Sequence, residues 1–135
     1  LQDVPAALEA VRHLLKPGGI FAFSTPSASG VSARARLKHC LAHSPPDHWS
    51  IWHPAACARL LKSRGFRVRE MRITGHHPER FPLVGAAVGA AAARGGEGSL
   101  LYRALTLVSR VAGMGDTFEV YAECTVTPPA RGIHP

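Results

Sequence analysis

Hydrophobic and polar positions along the chain follow two periods, and these divide it into elements. Leu8, Val11, Leu14 and Leu15 recur at helical spacing behind Asp3, a capping residue, and Pro5, whose missing amide costs little in a first turn. Lys16-Pro17-Gly18-Gly19 ends that helix and turns the chain. Ile20-Phe21-Ala22-Phe23-Ser24 is short, apolar and aromatic, the pattern of a buried central strand. Helix, tight turn and buried strand form half of an α/β unit and predict a parallel sheet. The loop Thr25-Pro26-Ser27-Ala28-Ser29-Gly30 lies beyond that strand's carboxyl end, where open α/β sheets bind ligands.

Residues 31–43 read as a weakly amphipathic helix with Arg34 and Lys38 in solvent, broken by Ser44-Pro45-Pro46-Asp47. His53-Pro54 starts another helix, with Cys57, Leu60 and Leu61 inward and Gly65 as its left-handed cap. Lys62 and Arg64 stand near its carboxyl terminus, where positive charge is favoured. Phe66–Ile73 reads as a strand whose alternation slips between Val68 and Met71, which predicts a bulge or an edge position. The clearest strand follows later. Phe118, Val120, Ala122, Cys124 and Val126 occupy one face, and Thr117, Glu119, Tyr121, Glu123 and Thr125 the other, half-wet one.

Between those strands, residues 75–115 form an insertion with an alanine-rich segment, Pro82–Ala93, and a flexible Arg94–Gly98 break. A helix is expected over Ser99–Ala112, with Leu101, Leu105 and Val108 on one stripe. Residues 1–126 are expected to be one unit and 127–135 a flexible tail. Three strands of a parallel sheet leave a hydrophobic edge exposed, so the chain reads as an incomplete domain.

Composition narrows this picture. With 135 residues and 46% apolar content the chain buries one moderate core. A net charge of +7 permits an anionic partner without choosing one. Three scattered cysteines, an odd number, argue against a disulfide framework and for a reducing cytoplasm. The apolar run Leu83–Ala93 falls far short of the about 20 residues of a membrane span, and no membrane partner is expected. The opening Leu1-Gln2-Asp3 lacks a methionine and a secretory signal, which suggests that upstream sequence is missing.

The candidate chemistry is sparse. His39, Cys40 and His43 fall within one helical turn, and His53 and Cys57 are at i,i+4 spacing, but no Cys-x-x-Cys or His-Glu-x-x-His accompanies them, so no metal is expected. No Gly-x-Ser-x-Gly elbow is present. Arg34, Arg36, Lys38, Arg67, Arg69 and Arg72 form no recognised nucleic-acid module, and simple alternation puts 67 and 69 on one strand face and 72 on the other. His48 lies beside Trp49 and near Trp52, in the loop after a helix. His76-His77-Pro78-Glu79-Arg80-Phe81-Pro82 reads as a lid, with Arg80 meeting an acidic group.

Leu1-Gln2-Asp3-Val4-Pro5, Leu14-Leu15-Lys16-Pro17-Gly18-Gly19 and Phe21-Ala22-Phe23-Ser24-Thr25-Pro26 together resemble the second half of a class I S-adenosylmethionine-dependent methyltransferase. Asp47-His48, Trp52, Leu60-Leu61 and Gly65-Phe66 resemble the next block in its small-molecule and quinone-type branch. The resemblance implies a partial Rossmann-like α/β fold, a mostly parallel sheet with an antiparallel edge strand, and an absent N-terminal half. It implies in-line transfer of a sulfonium methyl group to a small-molecule acceptor, with catalysis resting on alignment. Leu1, Gln2 and Asp3 would then contact the cofactor, Thr25, Pro26, Trp52 and Arg80 the substrate, and His48 would serve as base. The family's glycine-rich loop and following acidic residue are not among these residues. Gly85-Ala86-Ala87-Val88-Gly89 lacks both a preceding strand and a third glycine, and Gln2-Asp3 stands where many relatives have Glu-His. The chain alone is therefore expected to be inactive, with the missing half or a second copy covering the sheet edge. The alternatives are a nonenzymatic interaction domain of the same fold and a nucleic-acid-directed methyltransferase.

Overall fold

The computed structural model describes residues 2–42, 50–92 and 100–125. In chain order they form α1 (Val4–Leu14), β1 (Ile20–Pro26), α2 (Val31–Ala42), α3 (Pro54–Ser63) and β2 (Phe66–Thr74). A 3-10 turn (Pro78–Arg80), α4 (Gly85–Ala92), α5 (Leu100–Val111) and β3 (Thr117–Cys124) follow.

Asp3 starts α1 by accepting the Ala6 amide at 2.9 Å, with Pro5 in the first turn. Leu8 is buried, and Val4, Val11 and Leu15 pack beside it against the sheet. Those positions share one line of the helix, whereas Leu14 lies roughly a quarter turn away and is 80% exposed, outside the stripe expected for it. Gly18, at φ +79°, turns the chain. Its amide and the Gly19 carbonyl then bond the end of β3 at Cys124, at 3.0 and 2.9 Å.

The sheet order is β1-β3-β2, and β3 runs antiparallel to both neighbours. This corrects the expected mostly parallel sheet with its antiparallel strand at the edge. The crossover through α2 and α3 returns β2 in the direction of β1 but one strand away, and β3 fills the gap from the opposite direction. Parallel pairing among the described residues is confined to the single bridge Ser27–Trp52. Among the described residues β1 is accordingly at the edge of the sheet, where a buried central strand was expected. Phe21 and Phe23 stack at 4.9 Å and pack inward, while Ile20 is 50% exposed.

β3 keeps its expected alternation: Phe118, Val120, Ala122 and Cys124 are buried and form the core with Leu8, Cys57, Leu61 and Phe66. Val126 lies outside the described residues. Removing a fully buried side chain such as Phe118 from water contributes about 2–3 kcal/mol. α3 is capped by His53 Nδ1, which accepts the Ala55 amide at 3.3 Å, and ends at Gly65, φ +80°. Burial pushes the Cys57 thiol up to about 11.

β2 carries the anticipated bulge, a register shift between Val68 and Glu70. One extra residue reverses the parity of the strand beyond it. Val68, Met71 and Ile73 therefore all pack toward the core, and Arg67 and Arg72 oppose Glu123 and Glu119 on the wet face. The basic side chains are thus not divided between faces, as simple alternation suggested. They pair with carboxylates instead. Arg67 and Arg69 bind Glu123 at 2.9 and 2.5 Å, and Arg72 binds Glu70 at 2.7 Å while lying 5.5 Å over the Tyr121 ring. Hydrogen bonds from Arg69 and Arg67 lower the Glu123 carboxyl, and Arg72 lowers that of Glu70.

α5 turns little of its apolar stripe inward. Leu105 is half-buried, but Leu101 and Val108 are each 49% exposed. The inward side instead carries Ser109, fully buried, whose hydroxyl bonds His76 Nδ1 at 2.8 Å.

Candidate functional site

The carboxyl end of β1 is tied to two other segments. Ser27 donates its amide to Asp116 O at 2.8 Å and Val31 to Met114 O at 2.9 Å, which joins the loop to the approach of β3. On the other side Ala28 donates to Trp52 O at 2.8 Å and Trp52 to Pro26 O at 3.3 Å. Within the loop the Ser27 and Ser29 hydroxyls bond at 2.8 Å.

Asp116 organises this junction. Its Oδ1 accepts the Ser32 amide at 2.9 Å, and its Oδ2 accepts the Ser32 hydroxyl at 2.5 Å and Arg80 Nη1 at 2.9 Å. A carboxylate 84 residues away in sequence thus satisfies an open amide of the first turn of α2. The approach is so close that a Cβ on Gly30 would lie 2.3 Å from Asp116 Oδ1 and 2.6 Å from its Cα. Arg80 also reaches the Ser32 hydroxyl at 3.2 Å, and neighbouring His77 bonds Glu79 through Nδ1 at 2.9 Å.

A cavity of about 900 Å³ opens here. Its polar end is Ser27, Ser32, Arg80 and Asp116, and its apolar wall is Ile51, Phe81, Pro82 and Leu83. His77, Arg36 and Cys40 also line it, with Arg36 at the bend of α2 where φ is −153°. A concave site with an apolar wall and a few convergent polar groups suits a small organic molecule.

Of the residues expected at a substrate site, Pro26 and Arg80 meet in this cavity. Thr25 is held in the sheet opposite Phe118. Trp52 bonds the end of β1 through its backbone and Ser50 Oγ through Nε1 at 2.8 Å, next to cavity-lining Ile51. Gln2 is exposed, and Asp3 is occupied in capping α1. Leu1 and His48 lie outside the described residues. Sequence reasoning missed Ser32 and Asp116, weighed Cys40 only as a metal ligand, and had His77 only as part of a lid. The available signal was Gly113-Met114-Gly115-Asp116, a close-packed turn directly before the most regular strand. Among the described residues no three His, Cys, Asp or Glu side chains gather around a metal position.

Gly85-Ala86-Ala87-Val88-Gly89 is not a nucleotide-binding loop. Gly85 and Gly89, the nearest glycine pair, belong to α4 and pack on the 3-10 turn. A Cβ on Gly85 would lie 2.2 Å from Glu79 O, and one on Gly89 3.4 Å from Glu79 Cβ. Backbone amides approaching a nucleotide are a different arrangement.

No curated protein matches the chain. Residues 1–71 match a family described as a methyltransferase domain. That stretch runs from α1 through most of β2 and contains the strand end, α2 and α3 that build one side of the cavity. The chain belongs to the methyltransferase domain family.

Proposed function

We propose that this chain supplies the acceptor side of an S-adenosylmethionine-dependent methyltransferase acting on a small molecule. The observation that carries the reading is the cavity at the carboxyl end of β1, with Arg80 held by Asp116 and Ser32 at its polar end. The apolar wall takes the body of the acceptor, and the half-exposed guanidinium of Arg80 orients an acidic or hydrogen-bonding group on it. His48 is assigned the role of acceptor base, and residues 75–115 that of a substrate cap whose 77–83 segment lines the cavity. Holding the acceptor in one pose is the contribution assigned to these side chains.

The donor is bound elsewhere in the complete protein, with Leu1, Gln2 and Asp3 at its border. In this reading β1-β3-β2 is the far end of a Rossmann-like sheet, and the remaining strands, or a second copy, pair along the open edge of β1. The test is a transfer assay with tritiated S-adenosylmethionine and a panel of phenols, carboxylic acids and amines, run on the complete protein and on this chain alone. The complete protein should methylate at least one class, with Arg80→Gln raising KM about tenfold or more while kcat changes little. Turnover by this chain alone, or indifference to Arg80→Gln for every acceptor, would contradict the proposal.

A further inference from the structure

We infer that α5 is a docking surface for an anionic lipid bilayer, independently of the methyl-transfer reading. Its inward side is its more polar one: Ser109 is fully buried, and Tyr102, Thr106 and a single apolar residue, Leu105, are partly buried. The outward side carries Leu100, Leu107 and Val111, exposed to 83, 61 and 82%, with Ala104 between them on the same line. Leu101 and Val108 widen that stripe. An amphipathic helix placed this way presents its apolar face to solvent instead of to the core.

Charge selects the occupant. Arg103 and Arg110, seven positions apart, lie along one flank of the stripe and are exposed. Over residues 82–115 the sequence has Arg94, Arg103 and Arg110 against the single acid Glu97, and the whole chain carries +7. An apolar helical face bordered by arginines is the pattern of a helix lying in the plane of an anionic membrane interface. A second copy seated on this stripe would instead bring another pair of arginines to the same face. The described helices include none long and apolar enough to cross a membrane, but an interfacial helix requires no span. The expectation of no membrane partner rested on that span alone.

The test is co-sedimentation of the 135-residue chain with vesicles of mixed phosphatidylglycerol and phosphatidylcholine, and with vesicles of phosphatidylcholine only. Binding to the mixed vesicles is expected, weakening as salt is raised and weakening by about 30-fold when Arg103→Gln and Arg110→Gln are combined. Leu107→Asp with Val111→Asp should abolish it. Because both positions are solvent-exposed, the far-ultraviolet circular dichroism and melting temperature of this variant should match the parent. Three results would overturn the proposal: no binding by the folded chain, equal binding by the Leu107→Asp/Val111→Asp variant, or equal binding to neutral vesicles. A concentration-dependent dimer that dissociates in the Leu107→Asp/Val111→Asp variant would also overturn it, assigning the stripe to a second copy.

Discussion

Asp116 shows how one carboxylate can serve as cap, turn anchor and pocket wall together. Asp116→Asn removes the charge from the start of α2 and loosens Arg80, and should lower stability by about 1–2 kcal/mol in a denaturant titration. Gly30→Ala forces a methyl group into the Asp116 backbone and should cost about 1–3 kcal/mol or more, with Gly30→Ser no better. The cysteines offer a separate check. Cys57 is buried with its thiol raised to about 11, whereas Cys40 is part-exposed on the cavity wall. Brief alkylation of the native chain at pH 8, read by peptide mass spectrometry, should label Cys40 and spare Cys57. Equal labelling would mean that the α3 face does not stay closed. At this scale the sequence was partly legible: Asp3, Gly18 and Gly65 could be assigned because caps and turns are local. Asp116 could not: the glycines before it mark a tight turn, but its partners lie in α2 and the 3-10 turn, far away in sequence.

The sheet shows the same division between local pattern and register. The slip between Val68 and Met71 was visible in the sequence because a bulge interrupts a period of two. Its effect on Arg72 was not, since parity beyond a bulge depends on how β2 pairs with β3. The helix α5 was legible in position but not in orientation, because a stripe identifies a face without saying what it meets. The wet sheet face has a pH signature with a definite sign. Glu123 and Glu70 have folded values below the ordinary 4.5, so their ion pairs contribute stability above the unfolded value and lose it as pH falls through the folded ones. Melting temperatures measured from pH 6 downward should therefore start to fall near pH 4.5. In Glu123→Gln the plateau should be slightly lower and the acid-dependent fall shallower. An unchanged slope would show that these surface pairs are not linked to folding.

For the whole molecule, family and partial topology were legible, but strand arrangement was not. The Leu-Lys-Pro-Gly-Gly turn and the strand after it carried the resemblance, and the family match over residues 1–71 agrees with it. The apolar content of β1 predicted a central strand because it reads as a segment buried on both faces. Within this chain β1 has one paired edge, and its second edge has no strand partner among the described residues. Those two facts fit together if β1 is central in the larger sheet of the complete protein. The labour is divided on the proposed reading: this chain would hold the acceptor, and residues outside it the donor. Calorimetric titration of S-adenosylhomocysteine into the 135-residue chain and into the complete protein tests that division most directly. The prediction is no saturable heat from the chain alone and binding near one ligand per molecule for the complete protein. Saturable one-to-one binding by the chain alone, or none by the folded complete protein, would contradict it.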